Sequence, residues 1–288
     1  MGGARLSPAS EALIRKQIPS TGEELPAVGI GSWQRFDVPA SDRAGRENCT
    51  AVLREFFRLG GGLVDSSPMY GQAQAAIGEA LRQIGATPSL FSATKVWTDG
   101  RQAGIAQMEE AMRLWGIDRF DLIQVHNLVD WSTHLSWLSD WKAEDRVRYT
   151  GITTSHGSRH SEVEKLMKTE SFEFVQFTYS LANRKAEARL LPLAQERQIA
   201  VIVNRAFEGG NLFGRVRGKP LPDFAAELDC KTWAQYFLKF VISHPAVTCV
   251  IPATSDLKHL EDNMAAMRGR LPDAAQRDEM VRYYESLS

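Results

Sequence analysis

A chain of 288 residues with 43% hydrophobic side chains can bury a sizeable core, and one βα barrel commonly occupies roughly 250 residues. Its 34 basic residues against 35 acidic ones leave a formal charge of -1, which gives no electrostatic footing for nucleic acid or an anionic membrane. Cys49, Cys230 and Cys249 are far apart and in no redox or metal spacing, and there is no signal-like or membrane-length apolar run, so the reading is a cytoplasmic protein with packing thiols.

Residues 1–24 are polar and turn-rich and read as a hairpin or cap. Ala27 to Gly31 reads as a short strand ending at Ser32 and Trp33. A helix is predicted over about 47–59, with Val52, Leu53, Phe56, Phe57 and Leu59 on one face at helical spacing. Gly60, Gly61 and Gly62 stop it, and Leu63-Val64-Asp65 forms the next strand. Strands then follow at 90–95, 121–126, 149–152, 174–177, 200–203 and 247–251. Helices are predicted between them at 75–82, 103–115, 136–143, 161–167, 187–195 and 232–242, and after them at 257–267. An irregular excursion spans 209–222, and a charged helix follows Pro272.

Eight strands, each followed by a helical stretch, are the pattern of parallel strands joined by right-handed crossovers. In one chain of this length they predict an α/β fold, a closed (β/α)8 TIM barrel over about 25–270. It forms one domain with the cap at 1–24 and a C-terminal helix in 271–288. An open dinucleotide-binding sheet is disfavoured. Gly29-Ile30-Gly31 begins its glycine fingerprint, but Gln34 stands where the third glycine belongs and no helix starts there.

Barrels carry their chemistry at the C-terminal strand ends and the loops beyond. Asp65 ends the second strand and Tyr70 follows in its loop; Lys95 ends the third strand and His126 the fourth. Separately these read as a Ser-Pro turn with an incidental tyrosine, a snorkelling lysine and a core histidine. Together at one rim they suit proton transfer. A lysine beside a phenol stabilises the phenolate and lowers its pKa, a carboxylate holds the ammonium, and a histidine orients a carbonyl oxygen. No side chain supplies hydride, so a nicotinamide cofactor is implied. A metal hydrolase is disfavoured because His126, His134, His156 and His160 form no tight ligand cluster with carboxylates. Gly71 releases the chain into the next helix, and Ser66 to Met69 are read as setting the reach of Tyr70.

These residues, in order and on these strands, resemble the Asp, Tyr, Lys, His tetrad of the aldo-keto reductases, and the resemblance runs from about Leu25 to Ala266. It implies Tyr70 as general acid, Lys95 and Asp65 as its tuning pair, and His126 as the carbonyl-orienting donor. The entry strand with Gly31, Ser32 and Trp33 is similar to the family's first barrel strand. Gln176 resembles the segment that touches the nicotinamide, and Ile251 to Ser255 with His259 to Asn263 resembles the adenine-end motif. The implied cofactor contacts are therefore Gly31, Ser32, Trp33, Asp65, Thr153, Thr154, Gln176, Asn204, Arg205, Phe207, Gly209, Thr254, Ser255, Lys258, His259, Asp262 and Asn263.

Three departures stand out. Thr153-Thr154 replaces the usual Ser-Asn, Asn204 replaces the stacking aromatic, and Ala253 and His259 stand where many members carry Lys and Arg. Lys258 and Arg205 are candidate substitutes against a ribose phosphate. The reading is NADP(H), with NAD(H) left open, and reduction of a small or flat aldehyde or ketone between Trp33, Tyr70, His126 and Trp131. The protein is read as a monomer or weak oligomer without metal. A cofactor-binding regulatory subunit with little turnover is the alternative.

Overall fold

In the barrel strands, side chains that alternate across the chain face two different apolar environments, and this alternation builds the molecule. The computed structural model describes residues 12–85 and 87–287. A hairpin of β1 (Arg15–Gln17) and β2 (Glu24–Pro26) comes first. Then follow β3 (Ile30–Gly31), α1 (Arg43–Arg58), β4 (Leu63–Asp65), α2 (Ala73–Ile84), β5 (Phe91–Val96), α3 (Arg101–Trp115) and β6 (Phe120–His126). Next are α4 (Trp131–Ala143), β7 (Val147–Thr153), α5 (His160–Thr169), β8 (Phe174–Thr178), α6 (Leu190–Glu196) and β9 (Ala200–Asn204). The chain ends with α7 (Asn211–Arg215), α8 (Trp233–Ile242), β10 (Val247–Val250), α9 (Leu257–Ala265) and α10 (Ala274–Ser286).

Strands β3 to β10 form one eight-stranded sheet in sequence order, and every pair is parallel. The first and last strands meet through bridges Val28–Val250 and Gly31–Ala253. Gly29 N–H donates to the Val250 carbonyl at 2.8 Å and Val250 N–H to that of Ala27 at 2.9 Å, so the sheet closes on itself. The eight strands expected from the sequence are these, in a (β/α)8 barrel.

Inside, Leu63, Phe91, Ala93, Leu122, Tyr149, Phe174, Ala200 and Ile202 form a closed apolar floor. The rings of Tyr149 and Phe174 stand 5.4 Å apart at its centre. The hairpin plugs this end with Ile18 and Leu25, and Tyr149 Oη donates to Glu23 at 2.7 Å. Outside, Val64, Ile123, Val125, Val175, Phe177, Val201 and Val203 pack against the helices. Truncating a buried ring such as Phe174 costs about 3–5 kcal/mol. The floor therefore fixes the height at which the strands become polar.

The differences from the sequence reading are at element ends. Helix α1 begins at Arg43, four residues earlier than expected, because the Asp42 side chain caps it by accepting from Gly45 N–H at 3.0 Å. Helix α4 begins at Trp131, five residues early, after Asp130 in a left-handed conformation. The excursion at 209–222 contains α7 and part of a single helical turn, Glu208–Gly210. The second arm of the hairpin runs past Glu24 to Pro26; the part of the expected cap in residues 1–11 lies outside the described residues. Among the described residues no helix is long and apolar enough to cross a membrane.

Candidate active site

The alternation that makes the apolar floor also places a polar layer above it. Two residues beyond Leu63 is Asp65, and two beyond Ala93 is Lys95. Gln124 and His126 follow Leu122, Gln176 follows Phe174, and Asn204 follows Ile202. Lys95 is wholly buried and Asp65 almost so. Lys95 Nζ donates to Asp65 Oδ2 and, at 2.9 Å, to the Ser66 carbonyl. Asp65 Oδ1 accepts from Gln124 Nε2 at 3.2 Å and Gln176 Nε2 at 3.1 Å. The carboxylate thus has donors at both oxygens, as a buried charge requires.

Tyr70 reaches this layer from the loop after β4, with the Lys95 ammonium 5.1 Å from its ring centroid. Gly71 has φ +57°, and a Cβ there would stand 2.2 Å from Asp37 Oδ1, so glycine is needed for the turn. The same carboxylate oxygen accepts from Gln72 N–H at 2.8 Å and pins the loop. Burial raises the phenol pKa; Lys95 pulls it down and Asp65 pushes it up, and the net shift is upward. The expected lowering by lysine is present but smaller than the desolvation of the phenolate. Burial pulls the Lys95 ammonium down, yet Asp65 and Tyr70 together hold it above its ordinary value. Burial, helped by the charge of Lys95, lowers His126 to about 3, so its imidazole is neutral at physiological pH. Its Nδ1 lies 3.0 Å from Ser67 Oγ, and its ring meets Tyr70 edge-on with centroids 5.9 Å apart.

A cavity of about 910 Å³ opens above these groups. Asp65, Tyr70, His126, Thr153, Gln176 and Asn204 line its depth, with Gly31, Ser32 and Trp33 at one wall. Arg205, Phe207 and Gly209 line the side beneath the loop after β9, and Thr254, His259, Asp262 and Asn263 line the far end. Lys95 lies below the lining, consistent with its full burial. Trp131 does not line the cavity; as the first residue of α4 it packs against the outer core. Ser255 and Lys258 also lie outside the lining. The Ser255 carbonyl is taken by Asn48 Nδ2 at 2.8 Å, and Lys258 is exposed on the first turn of α9. Thr154 lies just behind the lining, its carbonyl accepting from Asn204 Nδ2 at 2.8 Å.

The sequence reading missed Gln124 and Met69, and also Phe213 and Trp233, which cover the cavity from α7 and α8. It also missed Trp97, 41% exposed, whose ring centroid is 6.4 Å from that of His126. Strand parity was the available signal for two of them. Trp97 is two residues beyond Lys95, and Gln124 is two before His126.

A buried Lys–Asp pair beneath a phenol, beside a neutral imidazole, at the C-terminal mouth of a parallel barrel is the arrangement expected from the resemblance. The family model described as "Aldo/keto reductase family" matches residues 27–279. The chain belongs to the aldo/keto reductase family. It is 28% identical over 270 residues to methylglyoxal reductase YeaE of Escherichia coli, covering 90% of this chain and 92% of that protein. An aldo-keto reductase from Bacillus halodurans superposes with a TM-score of 0.76 at 20% identity, covering 95% and 96% of the two chains. An aldo/keto reductase from Klebsiella pneumoniae, solved with NADP and acetate, gives 0.75 at 23% identity over 93% and 95%.

The cavity has the features a dinucleotide needs. A Cβ on Gly31 would approach the Ile251 carbonyl to 2.9 Å, so glycine lets the first strand close against the chain after the last one at this wall. Arg205, at φ +54°, lines the cavity, and its buried Nε has no partner among the described residues. Buried Thr154 Oγ1 is likewise unpartnered. Asn204 Nδ2 donates to the Thr154 carbonyl and, at 3.3 Å, to Gln176 Oε1, and its Oδ1 accepts from Thr178 Oγ1 at 2.7 Å, so its side chain is fixed with one Oδ1 lone pair to spare. At the far end Asp262 accepts from Thr232 Oγ1 at 2.9 Å and Gln235 Nε2 at 2.7 Å. An arginine in the lining and the unpartnered buried Arg205 Nε and Thr154 Oγ1 fit a polar, anionic ligand such as a nicotinamide dinucleotide.

Proposed function

We propose that this aldo/keto reductase reduces a small aldehyde or ketone with NADP(H), and that Tyr70 gives the proton to the carbonyl oxygen. The observation that carries the proposal is Tyr70 standing over the buried Lys95–Asp65 pair at the cavity floor. A nicotinamide dinucleotide, when bound, supplies the hydride that no side chain can. Lys95 stabilises the phenolate left after transfer, and Asp65, held by Gln124 and Gln176, keeps the ammonium in place. Neutral His126 donates to the same carbonyl oxygen and shares the charge that develops there. Trp33 and Met69 line the cavity beside these groups, Trp97 flanks His126, and all three are partly exposed, which favours an apolar or flat group on the carbonyl.

Support for NADP(H) comes from Arg205 in the lining, since a phosphate gains most from an arginine fork. The NADP bound to the Klebsiella pneumoniae enzyme agrees. A relative from Escherichia coli, 25% identical over 251 residues, is named an NADH-specific methylglyoxal reductase, so both coenzymes belong in the test. Purified protein given NADPH and a panel of aromatic and short aldehydes is expected to consume nicotinamide absorbance. Tight coenzyme binding without turnover on any carbonyl would replace this reading by a coenzyme-sensing role.

A further inference from the structure

The segment from Ser66 to Met69 does more than span from strand to tyrosine. Ser67 is wholly buried, and its Oγ lies 3.0 Å from His126 Nδ1 and accepts from Met69 N–H at 3.4 Å. A buried hydroxyl also needs an acceptor for its own proton. Among the described residues, Nδ1 is the bonded atom able to take it. If Nδ1 carried the imidazole proton, Ser67 Oγ would accept from two N–H groups and its own proton would be buried without a partner, which is unfavourable. We infer that Ser67 is a positioning residue that fixes His126 as the Nε2–H tautomer and so presents a hydrogen-bond donor to the cavity.

The surroundings support this. Nε2 makes no hydrogen bond to any described residue, and His126 lines the cavity. The rings of Tyr70, edge-on at 5.9 Å, and Trp97, at 6.4 Å, both pack near the imidazole. The inference rests on the reading that a carbonyl oxygen sits between Tyr70 and His126. An Nε2–H group stabilises charge growing on that oxygen, whereas the opposite tautomer presents a lone pair to it and repels it.

The test uses whole protein labelled with ¹⁵N-histidine, the His126 ring signals being identified by their loss in His126→Gln. The wild type is expected to show a protonated Nε2 and an unprotonated Nδ1. Ser67→Ala is expected to move His126 to mixed tautomers and to lower kcat by about tenfold to a hundredfold, less than the roughly 10²–10⁴-fold of a wholly lost acid–base group because the imidazole itself remains. Its coenzyme dissociation constant should stay within about twofold of wild type, since phosphate, base and amide contacts lie elsewhere in the cavity. Ser67→Cys keeps the shape with a weak S–H donor and should fall between the two; it carries the test alone if the alanine variant does not fold. A Ser67→Ala protein that keeps either the wild-type tautomer or the wild-type kcat overturns the inference. If the wild type turns over no carbonyl, the proposed function fails, while the tautomer signals still decide what Ser67 does.

Discussion

Replacing Asp65 with Asn removes the charge that neutralises a fully buried ammonium. Lys95 is then left with neutral partners, the Ser66 carbonyl at 2.9 Å and the Tyr70 hydroxyl, and no counter-charge. Breaking a buried ion pair in this way costs about 3–5 kcal/mol, a large share of the roughly 5–15 kcal/mol that holds a typical domain together. Lys95→Met should cost less. The stranded carboxylate keeps two fixed amide donors, Gln124 and Gln176 at 3.2 and 3.1 Å, whereas the stranded ammonium keeps only neutral acceptors, the Ser66 carbonyl and the Tyr70 hydroxyl, and lies wholly buried. The double variant Asp65→Asn, Lys95→Met removes both charges, and its loss should fall short of the sum of the single losses by about 2 kcal/mol or more. Urea unfolding followed by circular dichroism measures all four proteins. Additive losses, or an Asp65→Asn cost below about 1 kcal/mol, would refute the buried pair and return it to the class of surface salt bridges.

Other outcomes follow from the same geometry. Arg205→Gln should weaken coenzyme binding by about tenfold to a hundredfold, the worth of one charge-assisted contact. Titrating NADPH and NADH separates the cases: loss with both marks the bridging phosphates, loss with NADPH alone marks the ribose phosphate, and loss with neither refutes a phosphate role. The rate of carbonyl reduction should be level from about pH 5 to about pH 8, because His126 stays neutral across that window. It should fall only on the alkaline side, above the ordinary tyrosine value of 10.0, as the raised Tyr70 phenol loses its proton; a step near pH 6.5 contradicts this. Gly78→Ala should cost about 2 kcal/mol or more in the same unfolding assay, since its Cβ would meet the Leu114 carbonyl at 1.8 Å where α2 crosses α3.

Much of this molecule is written in local patterns. The βα alternation and the strand-end rule located Asp65, Tyr70, Lys95 and His126 because each depends only on neighbours along the chain. Trp131 lies outside the cavity lining for a physical reason. Asp130 adopts a left-handed conformation and opens α4 five residues early, a choice that no apolar periodicity reveals. The cavity cover from α7 and α8 was missed because Phe213 and Trp233 lie far from the strand ends in sequence and reach the mouth only through the fold. Lys258 lies outside the cavity lining because the Asp256 cap sets the start of α9, and the lysine follows it on the exposed first turn. The sign of the Tyr70 shift needed three dimensions as well. Lysine proximity is readable from strand order, but the degree of burial that outweighs it is not.

Proton donation by Tyr70 is the step on which the proposed chemistry depends. Tyr70→Phe removes one hydroxyl and leaves the Lys95–Asp65 pair and the rest of the lining intact. Coenzyme binding by fluorescence titration and carbonyl reduction by nicotinamide absorbance should be measured on the same preparation. A wild-type dissociation constant is expected, with kcat lowered by about a hundredfold or more, the scale of a lost general acid. Turnover at the wild-type rate would contradict the assignment of Tyr70 as the proton donor.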